Sequence, residues 1–125
     1  MDRKDDMPVD NIHPTDEVID IKIKEICEDG LLYLNRDLSL ESLCHALGTN
    51  REYLRRYFAS RGTNYYDYIN SLRVEKIAKT IEQSGKVRVI DLVESSGFSS
   101  ESTLRRAFLK YKGVNISDYQ PPVKH

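Results

Sequence analysis

The chain has 125 residues, 39% hydrophobic and 31% charged, a globular composition long enough for one ordinary domain or two very small lobes. Its apolar runs fall far short of the roughly 18 residues of a membrane-spanning helix, and the acidic, polar start MDRKDDMPVD argues against a secretory signal. The net charge of −1 hides an asymmetry: Met1–Leu38 carries eleven acids against five bases, Ser39–His125 fourteen bases against nine acids. A basic body behind an acidic leader suits an anionic partner.

Residues 1–14 show no periodicity and are expected to form a disordered leader. Residues 15–36 read as an N-terminal helix and a connector. Thr15 and Asp16 offer an N-cap, Ile19, Ile23, Ile26 and Cys27 share one face, and the helix is predicted to run to about Glu28 before Asp29-Gly30 ends it. The apolar Leu31–Leu34 is expected to pack against the next unit. In residues 37–64, Ser39 caps Leu40–Leu47, Gly48 closes that helix, and Asn50 caps a second one from Arg51 to about Ser60. Two short helices across Gly-Thr-Asn make a helix-turn-helix.

Residues 65–83 form a long linker helix with two apolar stripes. Tyr65, Tyr68, Ile69 and Leu72 point one way, whereas Val74, Ile77, Ala78 and Ile81 point about 180° away, with the change near Arg73. A helix on a single core keeps one stripe, so the halves are expected to enter different cores. Residues 84–120 repeat the helix-turn-helix, with helices Val89–Ser96 and Glu101 to about Lys112 and a last turn near Ser117–Tyr119. Residues 121–125 are a tail.

An internal repeat supports this reading. Leu43 and Gly48 match Leu92 and Gly97, and LRRYF at 54–58 matches LRRAF at 104–108. GTNYYDY at 62–68 likewise matches GVNISDY at 113–119. The offset grows from 49 to 50 to 51, the signature of single-residue insertions at turns. The predicted fold class is therefore all-α: two helix-turn-helix subdomains joined by a long linker helix, with an extra N-terminal helix.

Tyr53, Leu54, Tyr57 and Phe58 are expected to face inward on the helix from Arg51, leaving Glu52, Arg55, Arg56 and Ala59 outside. On the helix from Glu101, Leu104, Ala107, Phe108 and Tyr111 face inward and Ser102, Arg105, Arg106 and Leu109 outward. One arginine pair is as readily an ordinary solvated face. Its recurrence after a second turn favours a ligand, because the guanidinium fork grips guanine N7 and O6 or a phosphate in two places. Glu52 either accepts a hydrogen bond from cytosine N4 or merely suits the helix dipole. Lys86, Arg88, Lys110 and Lys112, with the amides near Ser39 and Ser100, suit phosphates. Lys76 and Lys79 solubilise the linker. Cys27 and Cys44 read as buried hydrophobes, and His13, His45 and His125 are too scattered for a metal site. No catalytic constellation appears, so neither an enzyme nor a cofactor is expected.

LSLESLCHALGTNREYLRRYF, YINSLRVEKIAK and GFSSESTLRRAF followed by KYKGVNISDY resemble the DNA-binding domain of AraC/XylS-type bacterial transcription regulators, over about Leu38–Gln120. The resemblance implies double-stranded DNA as partner, with two recognition helices entering successive major grooves about 34 Å apart. It implies base contacts from Glu52, Arg55 and Arg56 in the first subdomain and from Glu101, Ser102, Thr103, Arg105 and Arg106 in the second. Asn50, Arg51, Ser100 and Lys110 complete the candidate DNA-binding set. The family analogy further implies an activator and a cytoplasmic, nucleoid-associated location. It admits RNA polymerase as a second partner, and the segment is expected to be a monomer without a membrane span. Val93, Ile116 and Gln120 depart from the family's usual Ala, Pro and Arg, and Val93 is expected to loosen the second subdomain's packing. The rival reading is a helical protein-interaction module that has lost DNA binding.

Overall fold

Side-chain caps start five of the six α-helices. The computed structural model describes residues 13–85 and 87–119. The helices are α1 (Asp16–Lys22), α2 (Leu40–Leu47), α3 (Arg51–Ser60), α4 (Tyr65–Ser84), α5 (Val89–Ser96) and α6 (Glu101–Lys112). Oxygens of Thr15, Ser39, Asn50, Asn64 and Ser100 accept from backbone amides three residues on, at 2.9–3.3 Å. Each satisfies an amide that the first helical turn leaves without a partner. At α2 the exchange is reciprocal, since the Ser39 amide donates to Ser42 Oγ at 2.9 Å. Arg88, ahead of α5, offers no cap and instead grips the Asp91 carboxylate with two 3.0 Å hydrogen bonds. No strand occurs among the described residues.

The N-terminal helix differs from its predicted form. After Lys22 it widens into a π-helix over Ile23–Asp29. Its core residues Ile19, Ile23 and Cys27 are spaced four apart, and an α-helix rotates such a row by about 40° at each step. The wider turn keeps the row against one core. Tyr53 also departs from its predicted inward position: it is 40% exposed and stacks on His13 at 4.0 Å. Leu54, Tyr57 and Phe58 already fill the inner face of α3. His13 lies in the stretch expected as a disordered leader, while residues 1–12 and the tail fall outside the described residues, as do Lys86 and Gln120.

Two cores result. Ile19, Ile23 and Cys27 meet Leu43, Leu47, Leu54, Phe58, Tyr65 and Ile69 in the first. Val74 and Ile77 meet Leu92, Val93, Phe98, Leu104, Phe108 and Ile116 in the second. The two stripes of α4 thus enter two cores, and Val93 and Ile116 are both buried in theirs. The repeat extends into side-chain contacts. Tyr68, against Phe58, donates to Glu28 at 2.6 Å, and Tyr119, against Phe108, donates to Glu82 at 2.9 Å. Each helix-turn-helix is therefore backed by a helix that precedes it: the N-terminal helix for the first, the second half of α4 for the second.

Polar ties hold the parts together. Arg61 pairs with Asp20 at 2.8 Å, and the Tyr57 hydroxyl donates to the same carboxylate, fixing α1 to the end of α3. Asp67, at the start of α4, accepts from Lys110 Nζ at 2.9 Å and from the Tyr111 hydroxyl on α6. Lys112 pairs with Glu75 at 2.8 Å. At the middle of α4, Arg73 is only 9% exposed. Its Nε donates to the Tyr33 carbonyl at 2.6 Å and its Nη2 to the Asn35 carbonyl at 3.0 Å.

Two outcomes follow in stability measurements. The Ser96 hydroxyl is buried without a hydrogen-bond partner among the described residues, where the first repeat has Leu47. Ser96→Ala is expected to raise stability in urea melts by about 1 kcal/mol. The Asp20 carboxyl is held below its ordinary 3.8 by hydrogen bonds from Arg61 and then Tyr57, and that of Asp67 by those from Tyr111 and then Lys110. A carboxylate with a depressed native pKa contributes fully above its unfolded value, and loses that contribution as pH falls through the native one. Melts from neutral pH downward should therefore lose stability below about pH 4, with a shallower acid limb in Asp67→Asn.

Candidate nucleic-acid interface

Helices α3 and α6 each follow a tight turn that starts at a glycine in the left-handed region, Gly48 at φ 73° and Gly97 at φ 89°. Leu54, Tyr57 and Phe58 anchor α3, and Leu104, Ala107 and Phe108 anchor α6. Anchoring on one side turns the other side out. Arg51, Glu52, Arg55, Arg56 and Ala59 are exposed on α3, as are Glu101, Ser102, Arg105, Arg106, Leu109 and Lys110 on α6. Thr103 is half-buried.

The two arginine pairs are held differently. On α3 it is the second arginine that is paired, Arg56 with Glu52 at 3.4 Å, one turn back. On α6 it is the first, Arg105, whose Nε and Nη2 both lie 3.0 Å from Glu101 Oε2. Arg51, Arg55 and Arg106 have no ion-pair partner among the described residues, so they present full donor sets to an incoming ligand. Exposed pairs of this kind are worth well under about 1 kcal/mol.

Several candidates from the sequence have structural duties. The Asn50 carbonyl oxygen and the Ser100 hydroxyl are occupied in capping their helices, and Ser100 Oγ also contacts Thr103 Oγ1 at 2.9 Å and Ser102 Oγ at 3.3 Å. These hydroxyls form a small polar cluster at the start of α6. Lys110 is clasped by Asp67, which raises its pKa and keeps it charged. Arg88 and Lys112 also have carboxylate partners, Asp91 and Glu75. Lys86 lies outside the described residues. The sequence repeat marks Asp67, opposite Asp118, but nothing in it reveals that Asp67 meets a lysine 43 residues away.

Two concavities border these helices. A shallow one at the first turn is lined by Glu41, His45, Thr49, Asn50, Arg51 and Arg55 among others. A groove of about 720 Å³ runs beside the start of α6, with Ile81, Val89, Ile90 and Tyr119 on its walls and Arg88, Glu101 and Arg105 along it. Among the described residues there is no group of three His, Cys, Asp or Glu side chains placed to hold a metal, and no helix is long and apolar enough to cross a membrane. Cys27 and Cys44 are buried free thiols, and burial pushes the Cys27 thiol up to about 11.

A family model described as a helix-turn-helix domain matches residues 43–121. An uncharacterised HTH-type transcriptional regulator of Staphylococcus aureus is 28% identical over 102 residues, which cover 81% of this chain and 14% of the relative. The chain thus spans about one seventh of that curated relative's length. Two solved structures share the fold. The C-terminal domain of AraT, a response regulator from Geobacillus stearothermophilus, superposes with a TM-score of 0.67 at 22% identity, covering 78% of each chain. The C-terminal domain of the two-component response regulator yesN from Fusobacterium nucleatum gives 0.62 at 25% identity, covering 79% of this chain and 90% of that one.

Proposed function

The chain belongs to the helix-turn-helix family of AraC-type transcription regulators and is a DNA-binding domain of that type, and from that premise we propose that it reads double-stranded DNA sequence with α3 and α6. The observation that carries this reading is the recurrence of one exposed arginine pair on two separately anchored helices that share a single linker. In this reading the two helices enter successive major grooves, about 34 Å apart along the duplex. Arg55 and Arg106 grip base edges, and guanine is the base that best fits their fork. Arg56 and Arg105 exchange their glutamates for phosphate or base. Glu52, Glu101, Ser102 and Thr103 line the same groove walls. Arg51 and the amides beside Asn50 and Ser100 bind phosphate, fixing register without reading sequence. Lys110 acts mainly from its place in the clasp with Asp67.

The activator role, contact with RNA polymerase, a monomeric state and a cytoplasmic, nucleoid-associated location are part of the same proposal and rest on family analogy. No catalytic step is assigned.

The test is binding-site selection from random duplex followed by titration across salt concentration. Wild-type affinity should fall steeply as salt rises, because phosphate contacts release counterions. Arg55→Ala and Arg106→Ala should each cost about 1–3 kcal/mol on the selected site and relax the preference at one base position. Arg51→Ala should weaken binding to all sequences alike and lower the salt slope. Binding that ignores salt, or that neither Arg55→Ala nor Arg106→Ala alters, would return the chain to the protein-interaction reading.

A further inference from the structure

Three parts of the chain converge at the middle of α4. From the first lobe comes the connector, whose Tyr33 and Asn35 carbonyls accept from Arg73 Nε and Nη2 at 2.6 and 3.0 Å. From the second lobe comes the turn between α5 and α6. There the Phe98 ring centroid lies 5.7 Å from the Arg73 guanidinium. Gly97 packs so tightly that a Cβ on it would sit 2.9 Å from each of Arg73 Nε, the Leu34 carbonyl and the Tyr33 carbonyl. The connector leads through Ser39 to α2 and so to α3. The turn leads within four residues to α6. Arg73 also stands where α4 passes from one core to the other.

We propose that Arg73 is a positioning residue for two-site DNA binding: by pinning the connector's carbonyls against the Gly97 turn, it sets the orientation of α3 relative to α6. The inference rests on the DNA reading above for its function and on geometry alone for the joint. An apolar side chain at this place would seal the two cores equally well. From one edge of its rigid fork the guanidinium donates to both carbonyls while lying beside an aromatic ring, a fixed geometry that an apolar side chain or an ammonium on a flexible stem does not supply. Its desolvation is unfavourable to stability, so its return is a unique arrangement of the parts it touches. The second tie between the lobes, Asp67 with Lys110 and Tyr111, is more exposed and acts at the far end of α6. It limits the swing of that end and does not replace the joint.

The test compares wild type with R73M, which keeps bulk and removes every donor. Residual dipolar couplings from the amides of α3 and α6 should fit one common alignment tensor in the wild type and two different tensors in R73M. On duplexes carrying the selected bipartite site, R73M should lose roughly tenfold or more of the affinity gained from the second half-site, the advantage that rigid linkage confers. Its affinity for a duplex with one half scrambled should stay within about twofold, since neither reading face is touched. A common tensor in R73M, or equal losses on whole and half sites, overturns the proposal. Should R73M lose its dispersed amide spectrum, R73K decides: it retains the charge but, on a flexible stem without the planar fork, does not hold the two carbonyls in one fixed geometry, so separate tensors support the joint and a common tensor overturns it. If the wild type selects no bipartite sequence, the DNA reading fails while the tensor comparison still judges the joint.

Discussion

A single buried guanidinium at the centre of the linker helix holds this structure in its shape. Arg73 has no carboxylate partner among the described residues and is surrounded by carbonyls and a ring. Burial pulls its pKa below the ordinary value, yet an arginine stays protonated under any condition in which the protein is folded. The charge is therefore permanent, and so is its demand for acceptors. The connector meets that demand with the Tyr33 and Asn35 carbonyls, the latter also accepting from the Leu38 amide at 3.1 Å. The second lobe approaches closely enough to share the contact only because Gly97 has no side chain.

Around that joint the molecule is one unit used twice. In each lobe a preceding helix, a turn-linked helix pair and a returning tyrosine enclose a core too small to be stable alone. Sharing α4 lets its first half complete one core and its second half support the other. The equivalence is not complete. The first lobe's support is a short α-helix continued as a π-helix, and the second's is a regular α-helix. The arginine left without an acidic partner is the first of the pair on α3 and the second on α6. One residue along a helix rotates a side chain by about 100°, so the two faces are not copies of one surface.

The distribution of charge follows from the same packing. Several basic residues lie beside an acid: Lys24 at Asp29, Arg61 at Asp20, Arg88 at Asp91, Lys110 at Asp67 and Lys112 at Glu75. These ties lock helices together and cancel field at the same time. Arg51, Arg55 and Arg106 have no such partner among the described residues and are exposed.

Local rules were sufficient for much of this. The caps at Thr15, Ser39 and Asn50, the turn glycines, the helical periods and the doubled LRR motif determined the helices, the two cores and the outward arginines from sequence alone, because each depends on residues within a turn or two of one another. Tertiary structure decided what depends on partners far along the chain. The row of Ile19, Ile23 and Cys27 opened the first helix into a π turn to stay on its core, and Tyr53 was left at the rim because Leu54, Tyr57 and Phe58 already filled the inside. Lys110, still exposed, is tied to Asp67, which folding brings beside it. Above all, only the fold could turn Arg73, a polar residue at the crossing of two stripes, into the point where three segments meet, because hydrogen bonds to backbone carbonyls leave no mark on the identity of the residues that supply them.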